Sequence, residues 1–513
     1  MQKITIVIVH WNTPESLKKQ IDKLSSSQDI QIVVVDNHSQ KSLSWLKARS
    51  PSVTLIENEI NRGYAFACNQ GAAIAEGKWL LFLNPDVEID PGQVFQLIDL
   101  ACNEDLLAAS PVPGSDDYHK PIPTLLSLLA EFSPLGKILP KKNVSDPKTL
   151  TGGCLLIKSK LLKKLGGWDE RFFLWFEDSD LTLRLLKNGY KIGWLPIDVK
   201  HAGGTTFSML DDQFKRDIFF SSMDVFAKKH FSLIGQFVVQ VIKNHYTKRK
   251  LLPRLDNTTN ITLPNLEQDL LHSFFEQNKH LLFSTPGVEW IVVTSGMKST
   301  DFFTWKKEFP LIRLIPIERN RGFASTVNIG FHASAGRWVG TVNDDVKLTQ
   351  DWLVRLLSCV DTETGSINPL IYKEDNTIES SGITILKKGK AIPLTSATSR
   401  EVDATNAAAV LYNKEVLNKV GLFDEKFGSY LEDIDLSLRI KRAGYKNIIC
   451  PEAKVVHAGQ STSKHIGSKK NVYDFRNWIF VIIKNWTLQD LVLNFPAIFL
   501  ERLRNLSGIS KSL

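Results

Sequence analysis

The feature that most constrains this chain is that its motifs are written twice. Asn61-Arg62-Gly63-Tyr64-Ala65 returns as Asn320-Arg321-Gly322-Phe323-Ala324, 259 positions later. Asn84-Pro85-Asp86-Val87 returns as Asn343-Asp344-Asp345-Val346 at the same offset of 259. Phe176-Glu177-Asp178-Ser179-Asp180-Leu181 returns as Leu431-Glu432-Asp433-Ile434-Asp435-Leu436 at an offset of 255, and His201-Ala202-Gly203 as His457-Ala458-Gly459 at 256. Four blocks in one order at nearly one spacing mark a tandem duplication of a whole fold, not a short-period solenoid. A chain of 513 residues has room for two such folds.

The unit that is duplicated reads as α/β. Trp79 to Leu83 is an unbroken apolar run, the mark of a strand buried on both faces, and it stops at the polar turn Asn84-Pro85-Asp86. Ile4–Val9 and Ile30–Val35 are β-branched strands, separated by a helix that opens at Thr13-Pro14. That βαβ arrangement puts the polar strand ends on one edge, where open sheets gather their ligands. Further strands are expected over Gly152–Ile157 and Ile192–Val199, with helices over Lys160–Leu165 and onward from Glu177. In the second half, Trp290–Val293 is a clear strand. The segment before it, Asn260–Leu263, is short, is followed by Pro264, and shows no counterpart of His10-Trp11-Asn12. The expected organisation is two Rossmann-like domains, 1–210 and 256–465, a basic helical connector at 211–255 and an amphipathic helical tail at 466–513. Residues 104–150 and 366–404 read as long loops.

The net charge of +8 points to an anionic partner: a nucleic acid, a membrane surface or a phosphorylated substrate. No nucleic-acid-binding motif accompanies it, so nucleic acid is set aside. The five cysteines are scattered without disulfide or metal spacing, which favours a reducing compartment. Met1-Gln2-Lys3 leads straight into an apolar strand, unlike a signal peptide, and no apolar run nears the ~18 residues of a membrane span. The stretches Asp224–Lys250 and Arg476–Arg504 mix apolar, aromatic and basic residues. Two readings stand for them, a helical cover for the sheet and attachment to an anionic bilayer surface.

Several side chains carry chemistry by position. Asp36 ends a strand, where it either accepts hydrogen bonds from a base or ribose or caps the next turn. Gly63 permits a tight turn and close backbone approach. Asp86 stands at the lip of the crevice. Glu177, Asp178 and Asp180 crowd the first turn of a helix, which the helix dipole stabilises, and one of them can act as a general base if it faces the crevice. His201 is either a satisfied histidine or, with Asp86, part of a carboxylate–imidazole metal site. Thr294 stands where the first half has Asp36.

The ordered set of His10-Trp11-Asn12, Asp36-Asn37, Asn61–Tyr64, Asn84–Val87, Trp168-Asp169-Glu170 with Glu177–Leu181, and His201–Thr205 resembles the inverting family 2 glycosyltransferases of GT-A fold. Within them it is most similar to the rhamnosyltransferase-like branch that builds bacterial surface polysaccharides such as O-antigen and capsule. The resemblance covers nearly all of 1–208 and most of 285–465. It implies donor-side residues Asn12, Asp36, Asn61, Gly63, Asn84 and Glu177, and Asn320, Gly322, Asn343 and Glu432 in the second half. It implies a divalent cation, Mg2+ or Mn2+, on Asp86 with His201 and on Asp345 with His457. It implies Asp178 and Asp433 as catalytic bases. The first position of the family's Asp-x-Asp motif is Asn84 here and Asn343 in the repeat. The implied enzyme is a hexosyltransferase, taking a dTDP- or UDP-sugar to a hydroxyl of a lipid-linked glycan while peripheral on the cytoplasmic face of the plasma membrane. Two active sites are expected. The alternative is one active N-terminal domain with a degenerate carbohydrate-binding or scaffold domain behind it.

Overall fold

In a computed structural model the described residues are all except 1–3, 113–119, 140–147, 202–210, 254–257, 266–267, 283–286, 397–399, 459–468 and 511–513. The chain forms two compact units. The strands of the first half are β1 (Ile4–His10), β2 (Ile30–Asp36), β3 (Thr54–Glu57), β4 (Trp79–Leu83), β5 (Val87–Glu88), β6 (Ala108–Pro111), β7 (Cys154–Lys158), β8 (Ile192–Leu195) and β9 (Lys200–His201). Seven of them make a sheet in the order β3-β2-β1-β4-β7-β6-β8. β1, β2, β3 and β4 run parallel, and β7 is antiparallel to β4. The chain leaves β1 toward β2 on one side and enters β4 on the other. A crevice therefore opens at the carboxyl ends of β1 and β4. Ile4, Ile6, Val7 and Ile8 of β1 and Leu81, Phe82 and Leu83 of β4 are fully buried, as unbroken apolar runs require.

The second half repeats the plan. Its strands are β10 (Thr259–Asn265), β11 (Val288–Thr294), β12 (Arg313–Pro316), β13 (Trp338–Val342), β14 (Val346–Leu348), β15 (Thr364–Tyr372), β16 (Ile378–Ser380), β17 (Ile383–Leu386), β18 (Lys390–Pro393), β19 (Glu401–Val402), β20 (Ala409–Asn413) and β21 (Lys446–His457). The main path is β12-β11-β10-β13-β20-β15-β21-β14, the first order with one strand added. β10 is a full strand of seven residues that runs through Pro264, longer than its sequence suggested. Its register places Asn265 beside Thr294, as His10 lies beside Asp36.

Other expectations change too. Residues 366–404 hold β15 to β19 in place of a long loop. Residues 104–150 contain β6 and a helix, Leu125–Phe132. Ile192–Val199 is a strand only as far as Leu195. Cys359 and Cys450 form a disulfide across 91 residues, with 6.0 Å between their Cα atoms; sequence spacing cannot reveal a pair brought together by the sheet. The helix Asp212–His230 is part of the core, where Phe220, Met223 and Phe226 pack on Phe172 and Phe176.

The first unit comprises residues 1–253 and also Lys298–Pro310. The helix Phe302–Glu308 in that segment brings Lys306 Nζ within 2.9 Å of Glu170 Oε1, both side chains fully buried. Asn69 also donates to Glu170, at 2.9 Å, and Lys306 lies 3.4 Å from the centre of the Phe66 ring. Removing one partner of such a pair strands a charge away from water. Lys306→Met is expected to cost the first unit about 3–5 kcal/mol in urea unfolding, and pairing it with Glu170→Leu to recover part of that loss.

Candidate active site

Each half builds its site on a two-residue backbone step. In the first, the Asn84 amide donates to the Gly153 carbonyl at 2.8 Å and the Val87 amide to the Asn84 carbonyl at 3.1 Å. This closes a tight turn that displays Asp86. A Cβ on Gly153 would lie 3.0 Å from Asn84 Nδ2, and one on Gly152 would lie 3.3 Å from the Asp178 Cβ. Asn84 and Asp178 therefore flank the Gly152–Gly153 step, and small residues there permit the approach. Tyr64 hydroxyl donates to the Gly152 carbonyl at 2.7 Å. Val87 pairs with His201, which sets the β9 backbone beside the residue that follows Asp86. The His201 side chain and Ala202–Thr205 lie outside the described residues.

The second half repeats these contacts. The Asn343 amide donates to the Ala408 carbonyl at 2.9 Å, and the Ala407 amide to Asp433 Oδ2 at 3.3 Å. Val346 pairs with His457, and the Ala458 amide donates to the Asp345 carbonyl at 3.0 Å. His457 Nε2 lies 3.2 Å from Asp345 Oδ1, and its Nδ1 lies 3.0 Å from Glu379 Oε2. Among the described residues, Asn343 Oδ1 is buried with no hydrogen-bond partner. Carboxylate oxygen, imidazole nitrogen and an idle amide oxygen are a donor set that fits a hard divalent cation such as Mg2+ or Mn2+.

The acids begin the helices Glu177–Lys187 and Glu432–Arg442. Just before each, two consecutive non-glycine residues are left-handed: Trp175 and Phe176 at φ 67° and 69°, Tyr430 and Leu431 at 71° and 67°. Such conformations cost roughly 1–3 kcal/mol each and cluster at functional sites. Burial, and then the Asp178 charge, push Glu177 up to about 8; burial also raises Asp178 against the Ser179 amide that donates to it at 2.7 Å. Glu432 and Asp433 are raised in the same way. The third acid behaves differently. Burial alone would raise Asp180, but Lys229 at 2.6 Å, Arg184 at 2.8 Å and His230 at 2.8 Å hold it well below the usual range. Asp435 sits likewise between Arg439 at 2.9 Å and Lys484 at 3.0 Å. These third acids bind the helices that follow. Burial would lower His457, but Asp345 and Glu379 outweigh it and raise it to about 10.

At the far side of the first crevice, His10 Nδ1 lies 2.9 Å from Asp36 Oδ1, and the Ser39 hydroxyl donates to the same oxygen at 2.5 Å. Burial would raise Asp36, and those two partners bring it below its ordinary value. Asn12, left-handed at φ 56°, accepts from the Gln40 amide at 2.8 Å and so fixes the loop after β2. Asn61 accepts from the Gly63 amide at 3.0 Å, and Asn320 from the Gly322 amide at 2.8 Å. Gly63 and Gly322 need glycine, with φ 85° and 91°, and a Cβ would fall 2.6 Å from the Phe173 carbonyl or 2.7 Å from that of Gly428. In the second half Thr294 donates to Asn265 at 3.1 Å, and Asn265 to Asp344 at 2.9 Å. The sequence reading did not single out His10, Tyr64 or Glu379 as site residues. The place of His10 at a strand end, two residues before Asn12, was a signal; Glu379 offered none.

The model for "Glycosyl transferase family 2" matches residues 5–166 and 268–418, more than half of the chain. The chain belongs to glycosyl transferase family 2. It is a glycosyltransferase, and the match falls once in each half. A further model, "Glycosyl transferase family group 2", matches 135–254. Among curated relatives, the N-acetylglucosaminyl-diphospho-decaprenol L-rhamnosyltransferase of Mycobacterium tuberculosis is 27% identical over 39% of this chain and 74% of its own. Rhamnosyltransferase WbbL of Escherichia coli is 23% identical over 38% of this chain and 80% of its own. Protein y4gI of Sinorhizobium fredii is 25% identical, and the matched region spans 26% of that protein's length. Among solved structures, a mannosyltransferase from Pyrobaculum calidifontis is 13% identical, covers 58% of this chain and 85% of its own, and has a TM-score of 0.36.

A buried acid raised above its ordinary value favours its neutral form in the folded state. The stability associated with neutral Glu177 is complete below its ordinary value of 4.5 and is lost as pH rises toward about 8. The melting temperature of the first unit is expected to fall between pH 5 and pH 8, by about 2–4 °C for each kcal/mol, and Glu177→Gln to flatten that fall.

Proposed function

We propose that each half moves a sugar, with inversion, from a nucleoside-diphosphate donor to a hydroxyl of a lipid-linked glycan in surface-polysaccharide synthesis. The observation that carries this is the paired arrangement: an acid-bearing turn and a pair of adjacent acids, the first buried and the second half-buried, on either side of one backbone step, built twice. Asp178, and in the repeat Asp433, accepts the acceptor's hydroxyl proton. The freed oxygen bonds the anomeric carbon as the carbon–oxygen bond to the diphosphate breaks and its electron pair leaves with the diphosphate. One base and one displacement invert the centre, whereas hydrolytic glycosidases need two carboxylates. Glu177 and Glu432 share the proton of each acid pair and hydrogen-bond the donor sugar. Asp86 with His201, and Asp345 with His457, would hold a divalent cation, which when bound supplies positive charge against that of the departing diphosphate. Asn12, Asp36 and the Asn61–Gly63 turn form the nucleotide side of the first crevice, for a dTDP- or UDP-sugar. The change to Asn265 and Thr294 supports a different donor in the second, where the Asn320–Gly322 turn and Asn343 are retained. The name of the Mycobacterium tuberculosis relative includes a decaprenol-linked acceptor, which supports the lipid-linked class.

Such an acceptor lies in a membrane. Among the described residues no helix is long and apolar enough to cross one. The helix Leu233–Tyr246 leaves Leu233 82%, Phe237 70% and Val241 53% exposed, and Leu488–Ser510 leaves Val492 68%, Phe495 64% and Phe499 53% exposed. Lys387 and Lys388 lie against the second helix through Asp490 and Glu501. Apolar stripes beside cations support attachment to an anionic bilayer surface.

With radiolabelled nucleotide sugars, Asp178→Asn and Asp433→Asn are each expected to remove one product, with that transfer slowed about 10²–10⁴-fold. An unchanged product set for Asp433→Asn would make the second half a binding or scaffold domain. Replacing Phe495 and Phe499 with Glu is expected to reduce co-sedimentation with anionic vesicles; undiminished binding would remove that helix from the membrane contact.

A further inference from the structure

β16 is short and sits outside the main path of the second sheet, paired to β15. Its register is broken: Ser380 lies opposite Ile371 and Ile378 opposite Tyr372. Three residues of β16 thus face two of β15, and Glu379 is the extra one. A bulge frees a residue from the ladder and re-aims its side chain, and bulges are frequent beside active sites. β15 also pairs with β21, Tyr372 opposite Val456, so the bulge lies close to the end of β21 at His457. The Glu379 carboxylate meets His457 Nδ1 with both oxygens, at 3.0 and 3.2 Å. The other ring nitrogen, Nε2, lies 3.2 Å from Asp345 Oδ1.

We infer that Glu379 is a positioning residue for the second site's cation, holding the Nδ1 hydrogen of His457 so that Nε2, once a cation displaces its proton, turns its lone pair to the ion beside Asp345. This rests on the proposed cation site at Asp345 and His457. The chemistry is that of a carboxylate–histidine–metal relay, in which the outer carboxylate fixes the tautomer and ring plane and makes the imidazole a better ligand. His457 can rotate about its side-chain bonds, and the disposition of Nε2 beside Asp345 follows from the hydrogen bond on the opposite side of the ring. A bulge at this position costs one ladder pairing and yields the carboxylate.

The test is Mn2+ titration of the full chain, read by electron paramagnetic resonance of free Mn2+, in an Asp86→Asn background that isolates the second site. Glu379→Gln and Glu379→Ala are expected to weaken Mn2+ binding about 10- to 100-fold, with the alanine variant the weaker, while the metal-free melting curve stays that of the parent. Mn2+ affinity equal to the parent in both variants overturns the inference. So does a loss of affinity that only accompanies a collapsed melting curve in both. Asp345→Asn separates the underlying reading: it is expected to abolish the second-site binding. If Asp345→Asn leaves binding intact, the cation site itself is wrong and Glu379 falls with it. If Asp345→Asn abolishes binding and the Glu379 variants do not change it, only the role of Glu379 is refuted.

Discussion

A buried carboxylate and a half-buried one beside it, at the start of one helix, set the terms for everything around them. Burial raises both Glu177 and Asp178, and Glu432 and Asp433 repeat the pattern. Helix N-termini favour such charges, and amides of Ser179 and Ile434 hold the second acid of each pair. A third acid in the same turn would add a further negative charge beside them. Asp180 and Asp435 avoid this by pairing with cations from their own helix and from the helix that follows. The following helices thus belong to the electrostatics of the acid pair. The left-handed residues before each helix are the conformational cost of the sharp turn that starts the helix at the acids.

The two halves diverge at the edges of this shared centre. Around the acids the duplication is close: Gly152–Gly153 becomes Ala407–Ala408, yet the same amide-to-carbonyl contact ties the strand-ending turn to it. At the far side of the crevice, proposed to take the nucleotide, the His10–Asp36–Ser39 set gives way to Asn265 and Thr294, with Asp344 joined to Asn265. A charged acceptor is replaced by a neutral hydroxyl there, while an acid appears one residue before Asp345. The last strand differs too. β21 is one strand from Lys446 to His457 that pairs with β15 and carries β14 at its outer side, whereas β8 and β9 are separate strands in different sheets.

Much of this was legible in the sequence because the determinants are local. The apolar runs of β1, β2 and β4, the Asn-Arg-Gly turns and the acidic helix starts each declare themselves within a few residues. The duplication then checked each block against its copy. What was not legible depends on partners far apart in the chain. Pro264 argued against a strand that β11 and β13 nonetheless complete from both sides. Glu379 lies 78 residues from His457 and has no motif. The disulfide between Cys359 and Cys450 has the same cause. The basic tails required burial to separate: the same apolar composition faces the core in Asp212–His230 and solvent in much of Leu488–Ser510.

The central claim is that one chain holds two complete sites of the same construction, each with an acid-bearing turn next to a pair of adjacent acids at a helix start. The most direct measurement is a crystal structure of the full chain with a nucleoside diphosphate and Mn2+, using anomalous scattering to locate the ion. The account predicts two Mn2+ peaks per chain, one at Asp86 and one at Asp345. Each diphosphate should lie between its ion and the crevice, with Asp178 or Asp433 facing the vacant sugar position. Diphosphate bound away from both turns, or with Asp178 on the opposite face of the sheet from its phosphates, would contradict it.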